Sequence, residues 1–190
     1  MIKIMKYGQV PAAEIFDRGA DASSVADTVS EIIADVEKNG DEALYRYCEQ
    51  FDGAALTSLE VSEEEWAQAM EAADPALIEV MKRSAANIRA FHQRQVRNSF
   101  IISDQNGVVM GQKVVPLDRV GLYVPGGTAS YPSSVLMNAI PAKIAGVKET
   151  VMVSPAKGGV ISPAILAAAK IAGVSRVFKI GGAQAIAALA

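Results

Sequence analysis

The chain carries one cysteine, one histidine and one tryptophan among its 190 residues. A lone Cys48 rules out an internal disulfide and fits a reducing compartment. A lone His92 rules out any site built from two imidazoles of the same chain. No metal-ligand constellation and no nucleophile–base pair can be assembled from this inventory. Neither sign of charge dominates. The net charge is −3 and the 18 Lys and Arg are spread along the chain, so there is no basic field for nucleic acid. The one local basic cluster, Arg89, Arg94 and Arg97, reads as a solvated helix face or a subunit contact rather than a phosphate site. No apolar run reaches the length of a membrane span, and Met1–Lys6 lacks a signal's apolar core and cleavage site. These absences lead to the expectation of a soluble, cytoplasmic protein with no nucleic-acid or membrane partner.

Hydrophobic residues make up 51% of the chain, enough for one substantial core. In the first half their spacing is helical. Val25, Val29, Ile32, Ile33 and Val36 form a stripe between a Ser23 or Ser24 cap and an Asn39-Gly40 stop. Asp41 is expected to cap a short helix carrying Leu44, Tyr47 and Phe51. Ser62 and Glu65 have capping-box spacing ahead of a helix with Trp66, Met70 and Ala73 on its inner face. Asp74-Pro75 opens another helix, since proline in the first turn loses no hydrogen bond. The stripe Ile78, Met81, Ala85, Ile88 and Phe91 predicts that it runs to about Arg97.

The period then changes. Phe100–Ile102 and Val108–Met110 flank Asp104-Gln105-Asn106-Gly107, and Asn-Gly between apolar runs is a strong hairpin signal. Val114-Val115 is expected to extend the second strand. From Val120 onward strands alternate with helices over short connections: strand to Val124, helix Ser134–Ala145, strand Thr150–Ser154, helix Ile161–Ala172, strand Arg176–Ile180. Short βα connections favour a right-handed parallel layout. The fold class expected is α/β: a helical part with a β-hairpin at 1–118, then an incomplete, Rossmann-like doubly wound parallel sheet at 119–190.

Two Gly-Gly corners stand out, Pro125-Gly126-Gly127-Thr128 and Ile180-Gly181-Gly182-Ala183. Neither is a Walker loop or the six-residue dinucleotide fingerprint. Glycine there lets backbone approach a ligand, with Thr128, Ser130, Ser133 and Ser134 supplying hydroxyls; a tight capped turn is an equal reading. Tyr123, near the end of its strand, reads as a ring for stacking on a nicotinamide or adenine, or as a core aromatic. Gln184 reads as a hydrogen-bonding partner for an amide or ribose, or as an ordinary helix-start residue. His92 reads as a surface or boundary residue and Cys48 as packing.

The stretch from Val120 to Ala129, Val-Gly-Leu-Tyr-Val-Pro-Gly-Gly-Thr-Ala, and the final Ile180-Gly-Gly-Ala-Gln-Ala-Ile-Ala-Ala-Leu-Ala together resemble the histidinol dehydrogenases. The intervening Pro-Ser-Ser-Val-Leu-Met-Asn-Ala-Ile-Pro-Ala-Lys-Ile-Ala-Gly fits the same family, as does Gly40-Asp41-Glu42-Ala43-Leu44 with Phe51-Asp52 after it. The resemblance implies a cytoplasmic or plastidic homodimer that oxidises L-histidinol through the aldehyde to L-histidine, using two NAD and a zinc ion. Tyr123 and Gln184 match family positions that contact NAD, and Gly126 and Gly127 belong to the same surface. The family's zinc ligands (a Gln, two His and an Asp) and its Glu–His acid/base pair are expected beyond Ala190.

Oxidising an alcohol by hydride transfer needs a base for the hydroxyl proton. The chain is therefore expected to be the amino-terminal portion of such an enzyme and to be inactive alone. A sheet ended after its third strand is also expected to leave an open edge and a bare apolar face, favouring oligomerisation or marginal stability. Two alternatives compete: a related sulfopropanediol-type NAD-dependent alcohol dehydrogenase, and a non-enzymatic short paralogue serving as a binding or assembly module.

Overall fold

A computed structural model of the protein describes residues 4–16, 23–126 and 130–190. In chain order the helices and strands are α1 (Ala12–Phe16), α2 (Ser23–Asn39), α3 (Asp41–Asp52), α4 (Glu63–Ala72), α5 (Pro75–His92), β1 (Phe100–Ser103), β2 (Val109–Gln112), β3 (Arg119–Tyr123), α6 (Pro132–Ile144), β4 (Glu149–Val153), α7 (Pro163–Ala172), β5 (Arg176–Phe178) and α8 (Gly182–Leu189). The α/β class with its helical part, hairpin and incomplete doubly wound sheet is as expected.

Local chemistry sets most boundaries. Ser62 and Glu65 form the full reciprocal capping box: Glu65 N–H donates to Ser62 Oγ at 3.2 Å and Ser62 N–H to Glu65 Oε2 at 2.8 Å. Asp74 caps α5 by accepting from Ala76 N–H at 2.8 Å, with Pro75 in the first turn. Two ends differ from expectation. Helix α5 stops at His92 and tightens into a 3-10 turn over Gln93–Gln95, leaving Phe91 exposed rather than on the inner face. Asp41 lies inside α3, whose N-cap is Gly40 without a side-chain cap. Its charge still suits the first turn of the helix dipole.

The hairpin pairs Phe100 with Gln112 and Ser103 with Val109. It ends at Gln112, but Ser99 prolongs the contact by accepting from Val114 N–H at 2.9 Å. Every residue of both strands is exposed, so neither face of this ribbon is packed. A lone two-stranded ribbon is marginal in water.

Strands β3, β4 and β5 form one parallel sheet in that order, with Tyr123 beside Val153 and Val153 beside Phe178. Alternate residues separate two cores. On one face Met152 and Val177 pack with Val135, Ala139 and Ile140 of α6 and Ile165 and Ala168 of α7. Helix α7 is buried on most of its girth because alanines let α4, α5 and α6 approach closely. On the other face Val153, Tyr123 and Phe178 pack with Leu44 and Cys48 of α3, Ile32 and Val36 of α2, and Ala185 and Leu189 of α8. Both cores draw on residues from either side of Asp118.

The outer edge of β5 is not bare. Residues 59–61 run antiparallel along it, with Val61 N–H donating to Val177 O at 2.9 Å and Lys179 N–H to Leu59 O at 2.7 Å. Arg176 clamps this addition by donating to both carboxylate oxygens of Glu60, at 2.8 and 2.7 Å. That hydrogen bonding holds the Glu60 carboxyl below its ordinary pKa. The open edge anticipated for the sheet is therefore that of β3. No helix among the described residues is long and apolar enough to cross a membrane.

Candidate functional site

Parallel strands bring their carboxyl ends to one side, and both glycine corners lie there. Tyr123 ends β3, and its hydroxyl accepts the Gly182 N–H at 3.1 Å. The first amides of a helix have no partner within it. The phenol thus satisfies one donor of α8 and fixes the spacing of the corners, while its own hydrogen stays free to donate.

Pro155, just past β4, sits between the corners. A Cβ on Gly126 would lie 2.9 Å from Pro155 O and 3.2 Å from Ser154 Oγ, and one on Gly181 would lie 2.5 Å from Pro155 Cγ. Only hydrogen fits at either place. Gly182 has φ +65, in the left-handed region that favours glycine, and a Cβ there would meet Gln184 Oε1 at 2.5 Å. Gly127 and Thr128 lie outside the described residues. Of the hydroxyls singled out near them, Ser130 Oγ donates to Ser162 Oγ at 3.2 Å.

Gln184 is 1% exposed, and its Oε1 is buried without a hydrogen-bond partner among the described residues. A carbonyl oxygen left this way costs about 1–3 kcal/mol, so the position calls for a donor that the described residues do not supply. An amide N–H or a hydroxyl would meet that need. The corner thus brings together a buried acceptor at Gln184 and a phenol donor at Tyr123, with Gly126 packed against Pro155.

Two neighbours of the site escaped the sequence reading. One is Pro155, which follows Ser154 at the end of a strand, where the change from β residues to proline was a usable signal. The other is Lys179, a single charge within Val177-Phe178-Lys179-Ile180. Its side chain is 8% exposed, and its ammonium donates to Glu65 Oε1 at 2.8 Å. Lys179 O also accepts from the buried Cys48 thiol at 3.5 Å. The carboxyl end of β5 is thereby tied to α3 and α4. Burial, and secondarily the charge of Asp52, push the Cys48 thiol up to about 11.

The remaining candidates stand apart from the crevice. His92 Nδ1 lies 2.6 Å from Gln95 Oε1, and the His92 ring packs edge-on against Phe91 at 5.2 Å between centroids. Arg89, Arg94 and Arg97 are all exposed. Among the described residues, no group of three or more His, Cys, Asp and Glu comes together in a way that could hold a metal ion. The described residues therefore do not fit a zinc site, whereas the crevice sets a phenol donor and a buried amide acceptor beside the glycine corners.

Known proteins share this sequence and fold. The family model described as histidinol dehydrogenase matches residues 17–190. The histidinol dehydrogenase of Geobacillus kaustophilus (strain HTA426) is 55% identical over 163 residues, which are 85% of this chain and 38% of that protein. That of Clostridium acetobutylicum is 45% identical over 196 residues, covering 100% of this chain and 46% of the relative. The crystal structure of histidinol dehydrogenase from Elizabethkingia anophelis superposes with a TM-score of 0.83 at 34% identity, over 94% of this chain and 42% of that one. The chain thus spans less than half the length of these proteins. With a matching sequence model, close relatives and the same fold, the chain belongs to the histidinol dehydrogenase family.

Proposed function

We propose that this chain is the amino-terminal portion of an NAD-dependent, zinc-requiring histidinol dehydrogenase, the cytoplasmic enzyme that oxidises L-histidinol through the aldehyde to L-histidine. The observation that carries this reading is the Gln184 oxygen, unpartnered among the described residues and buried beside two glycine corners that Tyr123 and Pro155 hold together. Their position at the carboxyl ends of parallel strands is where open α/β sheets bind nucleotides.

NAD supplies the hydride acceptor. The residues of this chain bind and orient. Gln184 Oε1 accepts from an amide N–H or a ribose hydroxyl, Tyr123 stacks and donates its phenol hydrogen, and Gly126 and Gly127 let backbone approach. The proton taken from the alcohol and the zinc that orients substrate require groups that the described residues do not bring together, so no step through zinc is assigned here. The complete enzyme acts as a homodimer in this reading. The relatives named above all carry the histidinol dehydrogenase name, which favours this reading over a sulfopropanediol-type enzyme or a non-enzymatic module.

Isothermal titration of NAD into the chain and its Tyr123→Ala variant tests the site. Weak binding that the substitution abolishes is expected, and equal affinity in both would remove Tyr123 from the crevice. The same chain should not convert histidinol to histidine with NAD, and turnover by it would overturn the division of labour.

A further inference from the structure

Near the start of α3, Asp41 and Leu44 line a groove of about 560 Å³ with Arg119, Glu149 and Arg176, the first residues of β3, β4 and β5. One turn beyond Leu44, the Cys48 thiol donates to Lys179 O, just past β5. Helix α3 also touches the 3-10 turn Lys157–Gly159 that follows β4. It thus runs in the same sense as the strands, and its last turn stands at their carboxyl ends. That turn lies on the face of the sheet that carries Tyr123 and α8.

Asp52 is the last residue of α3, and it falls on the inner stripe of the helix. Leu44, Cys48 and Asp52 follow one another at the i, i+4 spacing that puts side chains on one face. Leu44 and Cys48 are buried in the core that holds Ile180 and Ala185, and so is Ala54, just beyond Asp52. Asp52 is therefore a half-buried carboxylate on the side of α3 that faces the sheet. Its charge also stands at a helix C-terminus, where the dipole opposes an anion. Among the described residues no hydrogen bond or ion pair offsets these costs. Burial raises the Asp52 carboxyl above its ordinary pKa. An acid that the fold disfavours, next to the crevice of the Gln184 oxygen, fits a position completed by a ligand's donors.

Dinucleotide-binding sheets commonly present an acid to the ribose 2′-hydroxyl from a point about 20 residues after their first glycine corner. This chain has none there. Between Gly127 and Ile180 the one acidic residue is Glu149, at the amino end of β4, where it accepts from Arg119 at 2.6 Å. The end of β4 carries Ser154 and Pro155 instead, so an acid for the ribose must come from another element. A carboxylate accepts through both oxygens, which matches two adjacent hydroxyls. We propose that Asp52 accepts from the 2′- and 3′-hydroxyls of the adenosine ribose and thereby sets a preference for NAD over NADP. A 2′-phosphate there would meet a like charge in a half-buried place. The inference rests on reading the crevice as the NAD site.

Calorimetric titration with NAD, NADP and NAD lacking the adenosine 2′-hydroxyl tests this on the polypeptide continued through its downstream sequence. The proteins compared are the parent, Asp52→Asn and Asp52→Ala. The parent should bind NAD at least about 10-fold more tightly than either of the other two ligands. Asp52→Ala should bring the three affinities to within about 3-fold of one another, and Asp52→Asn should raise NADP affinity about 10-fold. The urea midpoint of Asp52→Asn should stay level or rise, because the change removes a charge that the fold disfavours. An unchanged order of affinities in both variants, or a parent indifferent to the missing hydroxyl, would overturn the proposal. So would a lowered midpoint with unaltered affinities, the mark of a purely structural carboxylate. Tyr123→Ala in the same series separates the two readings. If it abolishes NAD binding while the Asp52 variants alter nothing, the ribose assignment fails and the cofactor site stands. If it binds as the parent does while the Asp52 variants shift the preference, the reverse holds. A parent that binds no NAD overturns both.

Discussion

Replacing Gly181 by alanine is the sharpest probe of the crevice, because it changes one atom at a place with no backbone objection. Gly181 has φ −131 and ψ −170, ordinary extended values that alanine adopts freely. The cost must then come from packing. The new methyl would sit 2.5 Å from Pro155 Cγ and 2.8 Å from Pro155 Cβ. Carbon atoms in good contact stand about 3.5–4.0 Å apart, so roughly 1 Å of movement is needed. Forcing a methyl into a packed interior costs about 1–3 kcal/mol. Against this, alanine narrows the unfolded ensemble and returns about 0.4–1 kcal/mol. The net expected is a loss of about 1–2 kcal/mol, lowering the melting temperature by about 2–8 °C for a chain of this size. Urea denaturation of Gly181→Ala, Pro155→Ala and the double variant forms the test. Pro155→Ala removes the 2.5 Å contact with Cγ but keeps Cβ, so it should relieve part of the clash, giving a coupling of about 0.5–1 kcal/mol. A single variant within about 0.5 kcal/mol of the parent, or additive singles, would refute the wedge role of Pro155.

Further outcomes follow from the polar contacts. Glu65→Gln should destabilise more, by about 2–3 kcal/mol, than Lys179→Met, because it strands a buried ammonium while the reverse change removes the buried charge itself. Urea midpoints decide the order. Tyr123→Phe should cost about 0.5–1.5 kcal/mol through the lost acceptor for Gly182 N–H and weaken NAD binding without unfolding the chain. Cys48 sets a pH dependence at the alkaline end. Its thiol is raised to about 11 in the fold against a value near 9 when free, so its contribution is fully present below pH 9. That contribution, about 2–3 kcal/mol, is lost as pH rises from 9 through 11. Cys48→Ala should flatten this part of the stability profile, and an unchanged slope would count against a buried thiol.

What could be read from residues alone was what residues decide locally. The Ser62–Glu65 box, the Asp74-Pro75 start and the Asn106-Gly107 turn depend on neighbours a few positions away, and each forms as written. The alternation of strand and helix after Arg119 was legible for the same reason, although most boundaries moved by one or two residues. Long-range partners were not legible. Residues 59–61 show too short a run to announce a strand, and their place along β5 is fixed by tertiary contacts and the Glu60–Arg176 pair. The end of α5 was overestimated because Phe91 continues the apolar stripe, yet its side chain stays exposed. In the site, glycine pairs and Tyr123 could be picked out by type. Pairing of the phenol with Gly182, and the wedge between Gly126 and Gly181, arise only when three strands converge.

The short antiparallel run beside β5 stitches the first half of the polypeptide into the sheet of the second. A product beginning at Arg119 would lose that seam, Glu65 with it, and the α3 wall, Cys48 included, that packs beside Lys179. Its β5 would then be a raw ribbon margin beside an ammonium without its carboxylate, ready to recruit neighbouring molecules. For anyone trimming this protein, the stitching makes the stretch near Asp118 a poor place to cut.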